Sequence, residues 1–182
     1  MILHRDDPAS DQPRPPKPIT REWLFRAAAH YLERYSSSTA NLRRVLERKV
    51  MRRAHARGED AGSFAELIDE IVARFVELKL VDDRAYGEAR VLSLRRRGTS
   101  TRMVAAKLSE KGVERDLVEE LLAADETSDR QAALAYAKRR RLGPYRLRNR
   151  AERRDRDVAA MVRAGFGFAD AAAAIDGEPD QD

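Results

Sequence analysis

Ten cationic side chains stand between Lys138 and Arg156: Lys138, Arg139, Arg140, Arg141, Arg146, Arg148, Arg150, Arg153, Arg154 and Arg156. Only Glu152 and Asp155 oppose them, so ten against two leaves a formal +8, more than the +5 of the whole chain. Guanidinium and ammonium groups at this density suit phosphates or an acidic protein surface. The other reading is a solvated helix face and linker, but that calls for interspersed acids, which are scarce here. Arg43, Arg44, Arg48, Lys49, Arg52 and Arg53 form a second basic set that Glu47 alone interrupts, and helical spacing puts much of it on one side. A solvated face and a binding face suit this set equally. Arg95, Arg96, Arg97 and Arg102, with Lys107 and Lys111, form a third and weaker set. Tyr145 has a ring that could stack on a base, although pinning the Pro144 turn to a neighbouring helix is the stronger reading.

Catalytic chemistry finds little footing. His4, His30 and His55 are the only histidines, none at metal-ligand spacing, and the absence of cysteine removes thiolate metal sites and disulfides. Adjacent Asp82 and Asp83 point apart on a helix and suit capping. Glu66, Asp69 and Glu70 fall on the exposed side of their helix. No phosphate loop, Gly-x-Ser-x-Gly elbow or dinucleotide fingerprint occurs. The expectation is a non-enzyme with no metal and no cofactor of its own.

The elements that carry these residues read as helices. Hydrophobic residues are 42% of the chain, charged residues 37% and aromatic residues 6%, which suggests many thin helices with one apolar stripe each. A short cassette recurs: Thr39 to Val50 and Thr101 to Val113 align with Leu46 over Leu108, Leu42 over Val104 and Lys49 over Lys111. A faint third copy ends in Arg163, Gly165 and Phe166 where the second ends in Lys111, Gly112 and Val113. Repetition at this scale predicts an all-α array of three tandem three-helix repeats, elongated and curved, because such units stack in series. The expected divisions are 1–18 as a disordered Pro-rich lead, repeats at 19–81, 82–126 and 127–176, and an acidic tail at 177–182. In the first repeat, Trp23, Leu24, Ala27, Ala28, Tyr31, Leu32 and Tyr35 form one stripe; Thr39 caps the next helix; Ser63 and Glu66 form a capping box before Ile68, Ile71, Phe75 and Val76. In the second, Asp82 or Asp83 caps a helix through Tyr86 and Leu92, Ser100 or Thr101 starts the next, and Gly112 closes it. Gly87 sits inside a helix at a cost of ~1 kcal/mol relative to alanine. The third repeat has an alanine-rich stripe and is expected to be the least stable. Nothing reads as a strand. With no apolar segment of ~18 residues and no leader in Met1 to Asp7, a soluble cytoplasmic monomer away from membranes is expected.

Taken together, Tyr31 to Ser36, Leu42 to Lys49, Leu80 to Tyr86, Arg95 to Gly98 and Leu108 to Val113 resemble the RecX family of bacterial regulators of the RecA recombinase. The resemblance spans about Ile19 to Ile175. It departs at Thr99-Ser100-Thr101, and residues 57–62 look like an insertion. The resemblance implies a regulatory binder that lies in the groove of the RecA filament on single-stranded DNA and mostly restrains its recombinase, ATPase and co-protease activities. ATP would then be bound by the partner. Two other classes stay open: a sequence-nonspecific DNA-binding helical protein that contacts DNA directly, and a helical scaffold for another protein.

Overall fold

A computed structural model describes residues 16–178. The Pro-rich lead and acidic tail, with His4, fall largely or wholly outside that range. Within it lie α1 (Arg21–Leu32), α2 (Thr39–His55), α3 (Ala65–Glu77), α4 (Asp83–Arg96), α5 (Thr101–Glu110), α6 (Arg115–Ala123), α7 (Asp129–Arg140), α8 (Arg150–Arg163) and α9 (Phe168–Asp176), and no strand. They group into three tandem three-helix units, each with its own core. The first buries Leu24, Leu42, Leu46, Ile71 and Phe75. The second buries Val91, Leu94, Val104, Leu108 and Leu121. The third rests on Ala132, Ala133, Ala137, Ala171 and Ala174 around Met161 and Phe166.

Several helix starts differ from the pattern in the sequence. Ser38, not Thr39, caps α2 by accepting from the Asn41 amide. No Ser63–Glu66 box forms: Asp60 caps a short 3-10 turn, Ala61–Phe64, and α3 follows directly, so the Ser63 hydroxyl donates to the Asp60 carbonyl instead. A capping box does form at the start of α7, between Ser128 and Gln131. Tyr35 is exposed because α1 ends at Leu32, and Val76 and Leu92 also face solvent. Gly87 has a packing reason: a Cβ there would stand 2.3 Å from Leu121 Cδ1. α4 crosses α6 only because that position has no side chain.

The units are joined by the same contacts twice. At the first joint the Ser38 hydroxyl donates to the Lys111 carbonyl at the end of α5, and the Thr39 amide donates to Asp83 Oδ1 at 2.6 Å. At the second, the Ser100 hydroxyl donates to the Ala164 carbonyl at the end of α8 (2.8 Å), and the Thr101 amide donates to Asp129 Oδ1 (2.9 Å). In each case the start of one middle helix meets the end of the next. Amides and carbonyls without a partner inside their own helix are satisfied across the boundary, and the helix dipoles run head to tail. Gly112 and Gly165, both at positive φ, close α5 and α8 and permit this approach. A Cβ on Gly112 would lie 2.5 Å from Ala40 Cβ, and one on Gly165 would lie 2.5 Å from Ser100 Oγ.

α5 therefore contacts the first unit through its C-terminus and the third through its N-terminus. A ten-residue helix is ~15 Å long, so the outer units flank the middle one and the array is elongated. The joints also set the register of the third repeat. Gly165 takes the place of Gly112, so Ala164 corresponds to Lys111, Met161 to Leu108 and Asp157 to Val104; the alignment of Arg163 with Lys111 is one residue off.

Solution scattering is expected to give a radius of gyration clearly above the ~16 Å of a compact chain of this length; a value near 16 Å would contradict the serial arrangement. Gly165→Ala should lower stability by at least ~1 kcal/mol in urea unfolding, through its left-handed backbone and the contact with Ser100. A variant as stable as the parent would rule out that role.

Candidate interaction surface

The structure divides the cationic residues into those engaged inside the fold and those displayed on it. Arg95 belongs to the interior. Its side chain is 1% exposed and donates from Nε to Asp125 (2.6 Å), from Nη1 to Asp129 (2.6 Å) and the Thr99 carbonyl (2.9 Å), and from Nη2 to the Thr127 carbonyl. A buried guanidinium needs partners for its fork, and the 125–129 turn supplies them. Arg95 is thus a clasp between the second and third units and not part of a binding face, which corrects its place among the candidates. The residue at the same place in the first repeat is Glu33, so the first joint has no such clasp.

Asp129 gathers Arg95, the Thr101 amide and the Thr101 hydroxyl. Burial alone would raise its pKa, but these donors together hold the carboxyl below the ordinary carboxylate range.

Other candidates are also tied. Arg43 pairs with Asp69 (2.6 and 3.1 Å) and with Glu47 (2.6 Å). Arg44 reaches the Glu110 carbonyl at 2.8 Å and braces the first joint. Arg146 grips Asp157 through two bonds of 2.6 and 2.7 Å. Arg150 donates to the carbonyls of Ile175, Asp176 and Gly177 at the end of α9, where a cation also complements the helix dipole. Arg154 pairs with Asp176 at 2.6 and 2.7 Å and with Asp155 at 3.0 Å. Asp157 and Asp176 stand outside the sequence window that counts to +8, yet they fold back onto it. Arg53 lies over the Trp23 ring at 4.4 Å and donates to the Lys17 carbonyl.

The set of exposed cations is smaller. Arg48 and Arg52 are exposed on α2, with Lys49 half-buried beside them; Arg96, Arg97 and Arg102 are exposed around the second joint; Lys107 and Lys111 are half-buried on α5. Lys138, Arg139, Arg140 and Arg141 at the end of α7 are exposed, with Arg148, Arg153 and Arg156 farther on. Arg139 also lies over the Tyr136 ring at 5.6 Å. Tyr145 is half-buried and packs on the third core. In the insertion-like segment, Arg57 pairs with Glu59 and donates to the Pro16 carbonyl. His30 and His55 are exposed, and the described residues contain no group of three potential metal ligands.

Asp157 was missed by the sequence reading. It is 2% exposed at the core position that Val104 fills in the second unit. The Arg146 guanidinium holds its carboxyl below the ordinary range, with the Gly143 amide adding a bond of 2.9 Å, both outweighing burial. A polar residue on an otherwise apolar stripe was its only visible signal.

A family model described as RecX, second three-helix domain, matches residues 82–122. The chain is 39% identical over 171 residues to a Myxococcus xanthus protein named regulatory protein RecX, covering 92% of this chain and 91% of that one. A protein of the same name from Agrobacterium fabrum is 34% identical over 149 residues (80% and 78% covered). One from Deinococcus radiodurans is 31% identical over 164 residues (88% and 74%). No solved structure gives a significant match. Among the described residues no helix is long and apolar enough to cross a membrane.

Asp129 and Asp157 should give the fold a specific acid sensitivity. Both have depressed pKa values in the folded state, so the unfolded chain takes up protons first as pH falls. Their contribution is complete above about pH 4 and lost below it. Asp129→Asn should lower stability at pH 7 and flatten the fall in urea midpoint as pH drops through and below the ordinary aspartate range. A profile parallel to the parent's would remove Asp129 from that role.

Proposed function

The chain belongs to the RecX family of regulatory proteins, and on that footing we propose that it binds the RecA filament on single-stranded DNA and restrains its ATPase, recombinase and co-protease activities. The observation that carries this reading is the repeated joint. Because Ser38/Thr39 and Ser100/Thr101 make equivalent contacts, the three units follow one another through the same kind of joint. A target that is itself a helical polymer offers matching sites at its own interval. Weak contacts then add through effective concentration on a stiff scaffold. Each unit also displays cations that could supply such contacts, of which only Lys49 and Lys111 stand at equivalent positions: Arg48 and Lys49 in the first unit, Arg96, Arg97, Lys107 and Lys111 in the second, and Arg139, Arg140, Arg141, Arg148 and Arg153 in the third. Bridging adjacent protomers favours one filament geometry over the others and so opposes the cycling that ATP turnover requires. The protein acts by binding; the nucleotide chemistry belongs to RecA.

The test is RecA ATPase on single-stranded DNA with and without this protein, beside separate titrations of naked and RecA-coated DNA. Inhibition with a clear preference for coated DNA is expected. Reversing Arg139, Arg140 and Arg153 to Glu should weaken inhibition and make the loss of binding with salt less steep. Equal affinity for naked and coated DNA without inhibition would instead mark a nonspecific DNA-binding protein.

A further inference from the structure

The segment between α7 and α8 is held more firmly than its composition requires. Arg141 before it and Asn149 at its end both adopt left-handed backbone, φ 55° in each case, two of three non-glycine residues that do so among those described. Left-handed backbone is a common way to end a helix and asparagine tolerates it, so these two residues mark the bounds of the segment. Between them Asp157, which sits at a core position, accepts from the Gly143 amide and from Nε and Nη2 along one edge of the Arg146 guanidinium. Tyr145 packs its ring on the third core. The effect is to turn three consecutive residues to different duties: Tyr145 and Arg146 inward, Leu147 outward.

Leu147 is 92% exposed, the most exposed large hydrophobic residue among those described. A single exposed leucine on a mobile loop would need no account. This one stands on a loop fixed by a buried carboxylate, next to exposed Arg148, in a stretch from Arg130 to Ala151 that contains no carboxylate at all. An apolar tip with exposed Arg148 beside it and Arg141 at the start of the segment is the complement of an apolar pocket with an acidic rim. Nucleic acid fits less well, since base stacking uses exposed aromatic rings and the loop's one ring faces the core.

We propose that the loop at 142–149 is a preformed docking tip, in which Leu147 enters an apolar, acid-rimmed pocket on a protein subunit of the filament while Arg141 and Arg148 contact the rim. The proposal rests on the RecA-filament reading and names the element that makes the protein–protein part of the contact. Asp157 acts as a positioning residue: it holds the loop and does not touch the partner.

The experiment measures binding of the full chain to RecA-coated and to naked single-stranded DNA. Leu147→Asp should leave the melting temperature unchanged, weaken binding to coated DNA by ~10- to 100-fold, as expected for one buried leucine, and leave naked-DNA binding unaltered. Asp157→Val, which restores the residue type found at position 104, should keep the helical fold, speed amide exchange across 142–149 and also weaken coated-DNA binding, whereas a residue of merely structural importance would not link those two readouts. A photo-crosslinker at position 147 should attach to RecA protein. Parent-like filament binding by Leu147→Asp overturns the docking tip alone. A parallel loss on naked DNA, or crosslinks to DNA, overturns the protein pocket in favour of a nucleic-acid contact. Failure of the parent protein to bind coated DNA overturns the filament reading and this proposal with it.

Discussion

The architecture depends on how unpaired backbone groups at the ends of the middle helices are satisfied. A short helix such as α5 leaves about four amides at one end and about four carbonyls at the other without intrahelical partners. A freestanding three-helix unit would surrender them to water. Here each helix start receives a carboxylate from the next unit, Asp83 or Asp129, and offers a serine hydroxyl to the carbonyl end of the next middle helix. Polar bonding, dipole alignment and close packing at Gly112 and Gly165 thus coincide at one place. The same geometry made twice turns three small cores into one directional object.

The two joints are equivalent in their backbone contacts but not in their strength. The second adds the Arg95 clasp, with two carboxylates and two carbonyls around a buried guanidinium. The first adds only the bond from exposed Arg44 to the Glu110 carbonyl. Buried charge is weak evidence for stability, since desolvation offsets much of the attraction, but its directional bonding restricts how the units can tilt. The third unit, with its alanine core, is the one so fastened.

Charge shows where sequence counting falls short. Ten cations between positions 138 and 156 look like one patch in a linear window, yet Arg146, Arg150 and Arg154 brace the loop and the end of α9. Their partners Asp157 and Asp176, and the carbonyls of Ile175 to Gly177, come from beyond the window. In the same way Arg95 is indistinguishable from Arg96 and Arg97 in the sequence, and only the direction in which α4 presents position 95 makes it buried while its neighbours remain exposed.

Helical periodicity, the absence of cysteine and the cassette at Thr39 and Thr101 were enough to determine an all-α chain of three repeated units, because apolar spacing within a helix is a local property. Gly112 as a helix end was legible for the same reason. The meaning of the cassette was not: Thr39 and Thr101 recur because their amides meet an aspartate of another unit, a partner 44 and 28 residues away. Gly87 reads as a weak point until α6 packs against it, and Asp157 draws no notice until Arg146 and the Gly143 amide meet it in the core. Those choices belong to tertiary structure, since burial and pairing are set by which surfaces meet, and a one-dimensional pattern does not contain that information.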